Sequence, residues 1–294
     1  MIRNSFIVFY LFRALFLIPA FYFFPALSVM AQTPLFKVEV PDSVLARLVK
    51  KNSRITISAA NHKKDIHPFE YSDCKSLEAV VIEEGIERIG EYAFLGCTSL
   101  KSISLPSTLR EIGEGAFREC TSLEILEIPD GVKALPPYMC AWDENLKHVI
   151  LPTSLEDIGR NAFSYCSNLQ EIDLPTGLKH ISPNAFSFCK SLKEIVIPDS
   201  MEELESYAFS GCQGLLKARL PSNPNMLGEL IFTGCDNLRE IVCLSETPPA
   251  FDCDSPLFDP LEKNLWLQCR LIVPILSKSL YREAPGWNFF FLYN

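Results

Sequence analysis

Cysteine recurs along this chain every 23 residues: Cys74, Cys97 and Cys120, then Cys166, Cys189, Cys212 and Cys235 in the same register. The one absent member falls at Asp143, so eight successive units share a single period without insertion. A fixed period of this length marks a chain built from stacked copies of one supersecondary unit. Three residues after each of these positions stands a leucine: Leu77, Leu100, Leu123, Leu146, Leu169, Leu192, Leu215 and Leu238. Further columns keep phase. One runs Val80, Ile103, Leu126, Val149, Ile172, Ile195, Ala218, Ile241, and the next Ile82, Leu105, Ile128, Leu151, Leu174, Ile197, Leu220, Cys243. Proline follows at 106, 129, 152, 175, 198 and 221. Later come Ile89, Ile112, Leu135, Ile158, Ile181, Leu204 and Leu227, then Ala-Phe at 93–94, 116–117, 162–163, 185–186 and 208–209, with Ile231-Phe232 as a variant.

The apolar–any–apolar pair before proline predicts a short strand with two inward side chains. Proline cannot donate to a ladder, so it ends the strand and turns the chain outward. The later leucine or isoleucine and the Ala-Phe pair are expected to fill the interior from the opposite wall. One such coil buries too little apolar surface to offset the ordering of its backbone, so the units must stack to fold. The fourth unit departs from the pattern: Met139-Cys140 replaces Ala-Phe, and Asp143 replaces cysteine. Tyr138 and Trp142 are expected to supply the missing bulk, with a local rearrangement on that side and the strands unaffected.

These columns closely resemble the BspA-like leucine-rich repeats of bacterial cell-surface proteins. The family signature runs Cys-x-x-Leu-x-x-Ile-x-Leu-Pro, then Leu-x-x-Ile, then Ala-Phe-x-x-Cys. Between Cys97 and Cys120 it is met by Leu100, Ile103, Leu105, Pro106, Leu109, Ile112, Ala116 and Phe117. The resemblance extends from about Tyr71 to Val273. It implies a leucine-rich-repeat right-handed solenoid (a β/α superhelix). Its parallel sheet lies on the concave side, and its convex side is mostly irregular or short-helical. It also implies roles in adhesion and protein recognition, although fold alone does not fix function.

The ends read differently. Residues 1–31 carry Arg3 and Arg13, a nearly unbroken apolar run from Ala14 to Leu27, and small side chains at Val29 and Ala31. This predicts a signal peptide cleaved before Gln32; an uncleaved anchor is the alternative. No second apolar stretch of spanning length follows. Residues 32–73 read as an N-terminal cap, with a strand over Phe36 to Val40, a helix from Pro41-Asp42 through Lys51, and the first sheet strand over Ile55 to Ala59. The array occupies 74–241. Residues 242–294 break the period and read as a C-terminal cap, with a ninth strand at Leu271 to Val273 and Tyr281 and Gly286 to Phe289 over the open end. Residues 32–294 are taken as one cooperative domain.

A formal charge of −9 argues against nucleic acid, which needs a basic face. The repeated cysteines lie beside Leu and Phe columns and read as small buried side chains rather than disulfides or metal ligands, since a ladder spreads its members along a line. Cys243, Cys253 and Cys269 stand apart, and one disulfide among them is left open. His62, His67, His148 and His180 are scattered, and no catalytic motif accompanies them. His62 and His67, around Lys63, Lys64 and Asp65, read as a solvated loop. Glu83-Glu84 and Glu202-Glu203 read as solvated turns. No cofactor is expected.

The outward strand positions are the candidate binding face. They run Ala79, Ser102, Ile125, His148, Glu171, Glu194, Lys217, Glu240 in one column and Val81, Ser104, Glu127, Ile150, Asp173, Val196, Arg219, Val242 in the other. A merely solvated face should be polar throughout. Here Ile125 and Ile150 interleave with Glu127 and His148. Val196 sits among Glu171, Asp173, Glu194, Lys217 and Arg219. Such a mixture suits a protein-binding surface, although strand preference alone also favours β-branched residues. The reading is a non-catalytic protein of the bacterial exterior, secreted, surface-bound or periplasmic, holding a protein or glycan partner on this face. A spacer without a ligand and an envelope-polymer hydrolase are the alternatives.

Overall fold

The computed structural model describes residues 53–62, 64–222, 226–251, 257–259 and 263–292. The leader at 1–31, the cap strand and helix up to Lys51, and Cys253 lie outside the described residues.

Parallel strands stack from coil to coil. The first ladder comprises β1 (Arg54–Ile57), β3 (Ala79–Ile82), β5 (Ser102–Ser104), β7 (Ile125–Glu127), β9 (His148–Ile150), β12 (Glu194–Val196), β14 (Lys217–Arg219), β16 (Glu240–Val242) and β17 (Arg270–Ile272). Its register is one coil per strand: Ile55 opposite Val80, Val80 opposite Ile103, Leu126 opposite Val149, Ile195 opposite Ala218, Ile241 opposite Leu271. The column facing inward at the middle of each strand is buried, with Leu126, Ala218 and Ile241 fully enclosed. The first and last strands fall one residue earlier than expected, and Ala59 opens a helical turn, α1 (Ala59–His62), instead of closing a strand. At the sixth coil the ladder thins to one bridge, His148 to Glu171.

A second parallel ladder, unforeseen from sequence, runs through two-residue strands: β2 (Asp65–Ile66), β4 (Arg88–Ile89), β6 (Glu111–Ile112), β8 (Ala134–Leu135), β10 (Asp157–Ile158), β11 (His180–Ile181), β13 (Glu203–Leu204) and β15 (Met226–Leu227). Each strand sends its Ile or Leu inward, and Ile89, Ile158 and Ile181 are wholly buried. Oppositely charged side chains 23 residues apart line its solvent side, as in Lys64–Glu87 at 2.6 Å and Arg88–Glu111 at 3.0 Å. Exposed pairs of this kind contribute little stability; their like spacing ties one coil to the next.

The Ala-Phe wall is held by a third set of bonds. Tyr92, Phe94 and Gly96 donate their N–H groups to the carbonyls of Glu114, Ala116 and Arg118 on the next coil. Two residues per coil take left-handed backbone to aim these groups along the stack. One column, from Phe69 to Leu230, has φ between 52° and 60°; the other, from Asp73 to Gly234, has φ between 58° and 72°. Most of these residues are not glycine, so the interchain of coil-to-coil bonds offsets a conformation that L-residues avoid. Gly211 is constrained further, because a Cβ there would stand 2.7 Å from the Phe188 ring. Inside this wall the Phe column stacks face to face: Phe163–Phe186 at 5.3 Å and Phe186–Phe209 at 5.2 Å between centroids.

The repeated cysteines are buried free thiols, Cys74 alone being partly exposed. They are more than small apolar fillers. Each donates its S–H to the Phe-column carbonyl 26 residues earlier: Cys120 to Phe94 at 3.3 Å, Cys189 to Phe163 at 3.2 Å, Cys212 to Phe186 at 3.2 Å. Cys243 and Cys269 are likewise free and buried. The Cys243 thiol lies 3.2 Å from the Tyr281 hydroxyl. Burial raises the thiols of Cys120, Cys140, Cys166 and Cys189 well above the ordinary cysteine range, and pushes Cys269 up to about 12. Thiolate is the reactive form, so Cys97 to Cys235 are expected to be silent to a disulfide-exchange reagent at pH 8 until denaturant is added. Rapid labelling of Cys120 or Cys189 in native protein, located by peptide mapping, would contradict this packing.

The fourth unit corrects two expectations. Its backbone keeps the pattern of its neighbours: Cys140 N–H bonds the Ala162 carbonyl and Trp142 N–H that of Ser164. The bulk lost by Cys140 is regained from Met139, which is fully buried where other coils carry alanine. Trp142 instead lies on the outer side, stacked on Tyr165 at 5.4 Å beneath the Arg118 guanidinium at 4.6 Å.

Candidate functional site

On the first ladder, alternate side chains leave the core, and pairing fixes which of them meet. Ile125 stands opposite His148 and Glu127 opposite Ile150. Glu194 stands opposite Lys217 and Val196 opposite Arg219. The expected face residues therefore do share one surface. Ile125 and Ile150 sit diagonally on adjacent strands and are 54% and 53% exposed; Val196 is 45% exposed two coils beyond Ile150. Between them the inward neighbours Leu126, Val149 and Ile195 anchor the strands in the core. The aliphatic exposure thus sits on a rigid support.

The charges divide into partnered and unpartnered groups. His148 Nδ1 lies 3.3 Å from Glu171. Lys217 lies between Glu194 at 3.9 Å and Glu240 at 3.4 Å. Glu240 also accepts from Arg270 at 2.5 Å, and that bond holds its carboxyl below the usual range. Arg219 reaches Asp199 at 3.5 Å. The Asp199 carboxyl is itself lowered, chiefly by the Ser222 N–H that it accepts at 2.8 Å. Glu127 and Asp173, both exposed, form no ion pair among the described residues. The cations of the face are thus consumed at its C-terminal end, and unbalanced carboxylates remain around Ile150.

Other singled-out residues have different roles. His62 is not in a solvated loop: its ring is almost enclosed, with Nδ1 3.1 Å from the Ser58 carbonyl and Nε2 2.8 Å from Glu70 and 3.2 Å from the Tyr71 hydroxyl. The lysines beside it suggested solvent, but α1 turns the histidine inward. Glu84 is exposed yet engaged, accepting Ser107 N–H at 3.0 Å and Thr108 N–H at 3.2 Å from the next coil, which lowers its carboxyl. Asp130 with Thr153 and Asp199 with Ser222 repeat the arrangement. An acid followed 23 residues later by Ser or Thr was the legible signal for it. His180 pairs with Asp157 at 2.5 Å on the second ladder, away from the candidate face.

Among the described residues, no group of three or more His, Cys, Asp or Glu side chains is placed to hold a metal ion. No helix among them is long and apolar enough to cross a membrane. Two further exposed aliphatics escaped sequence reading: Ile275 and Leu276, 86% and 91% exposed, in the turn Ile275–Ser277 after Pro274.

Comparison with known proteins gives a consistent picture of the repeat. No curated protein matches the chain. Among solved structures it is similar to a leucine-rich repeat protein of T. pallidum, at 28% identity over 64% of this chain and 79% of that one, with a TM-score of 0.46. It is also similar to a leucine-rich cell surface protein of Faecalibacterium prausnitzii, at 20% identity, 83% and 84% coverage and a TM-score of 0.39. A leucine-rich repeat protein of Bacteroides ovatus aligns at 22% identity, 71% and 66% coverage and a TM-score of 0.42. The model of the BspA type leucine-rich repeat region matches in six copies, over residues 64–181 and 134–248. With the period, the parallel ladders and this match over more than half its length, the chain belongs to the BspA-type leucine-rich-repeat family.

Proposed function

We propose that this protein is a non-catalytic recognition module of the bacterial exterior that holds a protein partner on the outward side of its first ladder. The surface location rests on the family and on the leader read at residues 1–31. One observation carries the choice of face: Ile125, Ile150 and Val196 stand about half exposed on strands whose other side is core. Aliphatic groups fixed on a rigid sheet lose little freedom when covered, and partly apolar surface rimmed by charge is what protein interfaces bury.

The test is retention of a captured partner. Wild-type protein, immobilised, is challenged with envelope or host extracts, and the retained species is identified and titrated. Replacing Ile125 and Ile150 with lysine is expected to weaken that complex by at least about tenfold, because two desolvated cations would then face the partner. The folded state should be unaffected, since both side chains point to solvent. Unchanged affinity would move the site off this face.

A further inference from the structure

We propose that the column Glu127, Ile150, Asp173, Val196 is a docking strip for a cationic amphipathic helix of a partner protein; the proposal rests on the recognition reading above and names the partner's chemistry. Successive members of the column stand one coil apart, as the pairing of Glu127 with Ile150 shows. They alternate carboxylate, aliphatic, carboxylate, aliphatic. Adjacent strands are about 4.8 Å apart, so each chemistry recurs at roughly 10 Å. An α-helix returns to the same side after seven residues, about 10.5 Å, with a neighbour on that side halfway. Lys or Arg at i and i+7, with Leu or Ile at i+4 and i+11, would therefore place cations on Glu127 and Asp173 and aliphatics on Ile150 and Val196. An extended segment returns to one side about every 7 Å and falls out of step.

Charge decides between occupants. Glu127 and Asp173 have no cation of their own chain among the described residues, while Lys217 and Arg219 are already engaged by Glu194, Glu240 and Asp199. Asp130 adds a further exposed carboxylate beyond Glu127. A second copy of this chain would present the same acids to this face, and an anionic lipid surface would be repelled by them. A basic helix is attracted to them, and its aliphatic turns cover the exposed Ile150 and Val196.

The probe is a fluorescent peptide of about sixteen residues with Lys at i and i+7, Leu at i+4 and i+11, and Ala or Gln elsewhere, compared with a shuffled peptide of identical composition. Anisotropy titration at low salt should show the patterned peptide binding at least about tenfold tighter than the shuffled one. Glu127→Lys with Asp173→Lys should lose at least that factor, and Glu127→Gln with Asp173→Asn should lose in the same direction without adding cations. Glu91→Lys with Glu144→Lys makes the same change in net charge away from the strip and should bind as wild type. Equal binding of the two peptides, equal loss in the control variant, or no binding at all overturns the proposal. If the peptides fail while the Ile125 and Ile150 lysine variant still loses a captured partner, the recognition face stands and the helix does not.

Discussion

Phe186→Ala is expected to lower the stability of the folded chain by about 3–5 kcal/mol, the range for truncating an enclosed phenylalanine. Its ring has no solvent exposure and stacks on Phe163 on one side and Phe209 on the other, at 5.3 and 5.2 Å. Each coil touches only its neighbours, so removing this ring weakens two interfaces at once. The gap cannot collapse readily, because three sets of coil-to-coil backbone bonds hold the spacing. Phe188→Ala two residues away is the control. Phe188 also stacks, on Tyr165 at 4.6 Å, but it lies on the outer side with 36% exposure. Its loss should cost about 1 kcal/mol, the scale of one aromatic pair at a partly wet position. Denaturant unfolding followed by circular dichroism compares the two. Equal costs would mean that the inner Phe column does not couple the coils.

That prediction uses a column visible in the sequence, and so does most of the architecture. Leu, Ile and Phe at fixed offsets announced which side chains enter the core, because every coil repeats the same solution. The second ladder was not visible for a physical reason. Its strands are two residues long with a single inward side chain, so there is no alternation to read. The left-handed positions were half visible. Gly96, Gly211 and Gly234 fall in one column, which hints at positive φ. In the neighbouring column, however, Tyr92, Asn161 and Leu230 adopt the same backbone, and side chains of those types carry no such hint. His62 failed for another reason: local charge suggested water, whereas tertiary contact with Glu70 and Tyr71 decided its burial.

The candidate face was legible as a list of positions, since strand alternation dictates them. Which of its charges are balanced was not. Lys217 and Glu240 stand directly opposite each other by register, but Arg219 turns aside to Asp199 at the strand end, and Arg270 arrives from the strand beyond the repeats. Only the folded arrangement leaves Glu127 and Asp173 in surplus, and that surplus is what gives the face a preference for one sign of partner.

Asp143→Asn is expected to raise stability at neutral pH by about 1–3 kcal/mol, the cost of a buried polar group left unsatisfied. Asp143 occupies the thiol ladder and is fully buried. Its Oδ1 accepts the Cys120 N–H at 2.7 Å, while Oδ2 has no partner of good geometry, although the Cys140 thiol lies close by. Burial drives its pKa well above the ordinary 3.8, against the weaker lowering by Cys120 and Cys140. The sign of the pH dependence follows. Above the ordinary value the unfolded chain has released this proton and the native chain retains it, so unfolding releases a proton and stability falls as pH rises. The fall begins near 3.8 and continues up to the raised native value. Below it both states are protonated and the penalty vanishes. An amide keeps the acceptor for Cys120 and cannot ionise. By the offset of 26 residues seen at the other thiols, its N–H also has the Phe117 carbonyl as partner. Asp143→Cys, which restores the ladder, should act in the same direction. The measurement is the difference in unfolding free energy between variant and wild type from pH 4 to 8: near zero at the acid end and growing with pH. A flat difference, or a variant less stable at pH 7, would show that the buried carboxyl finds a partner that compensates its burial.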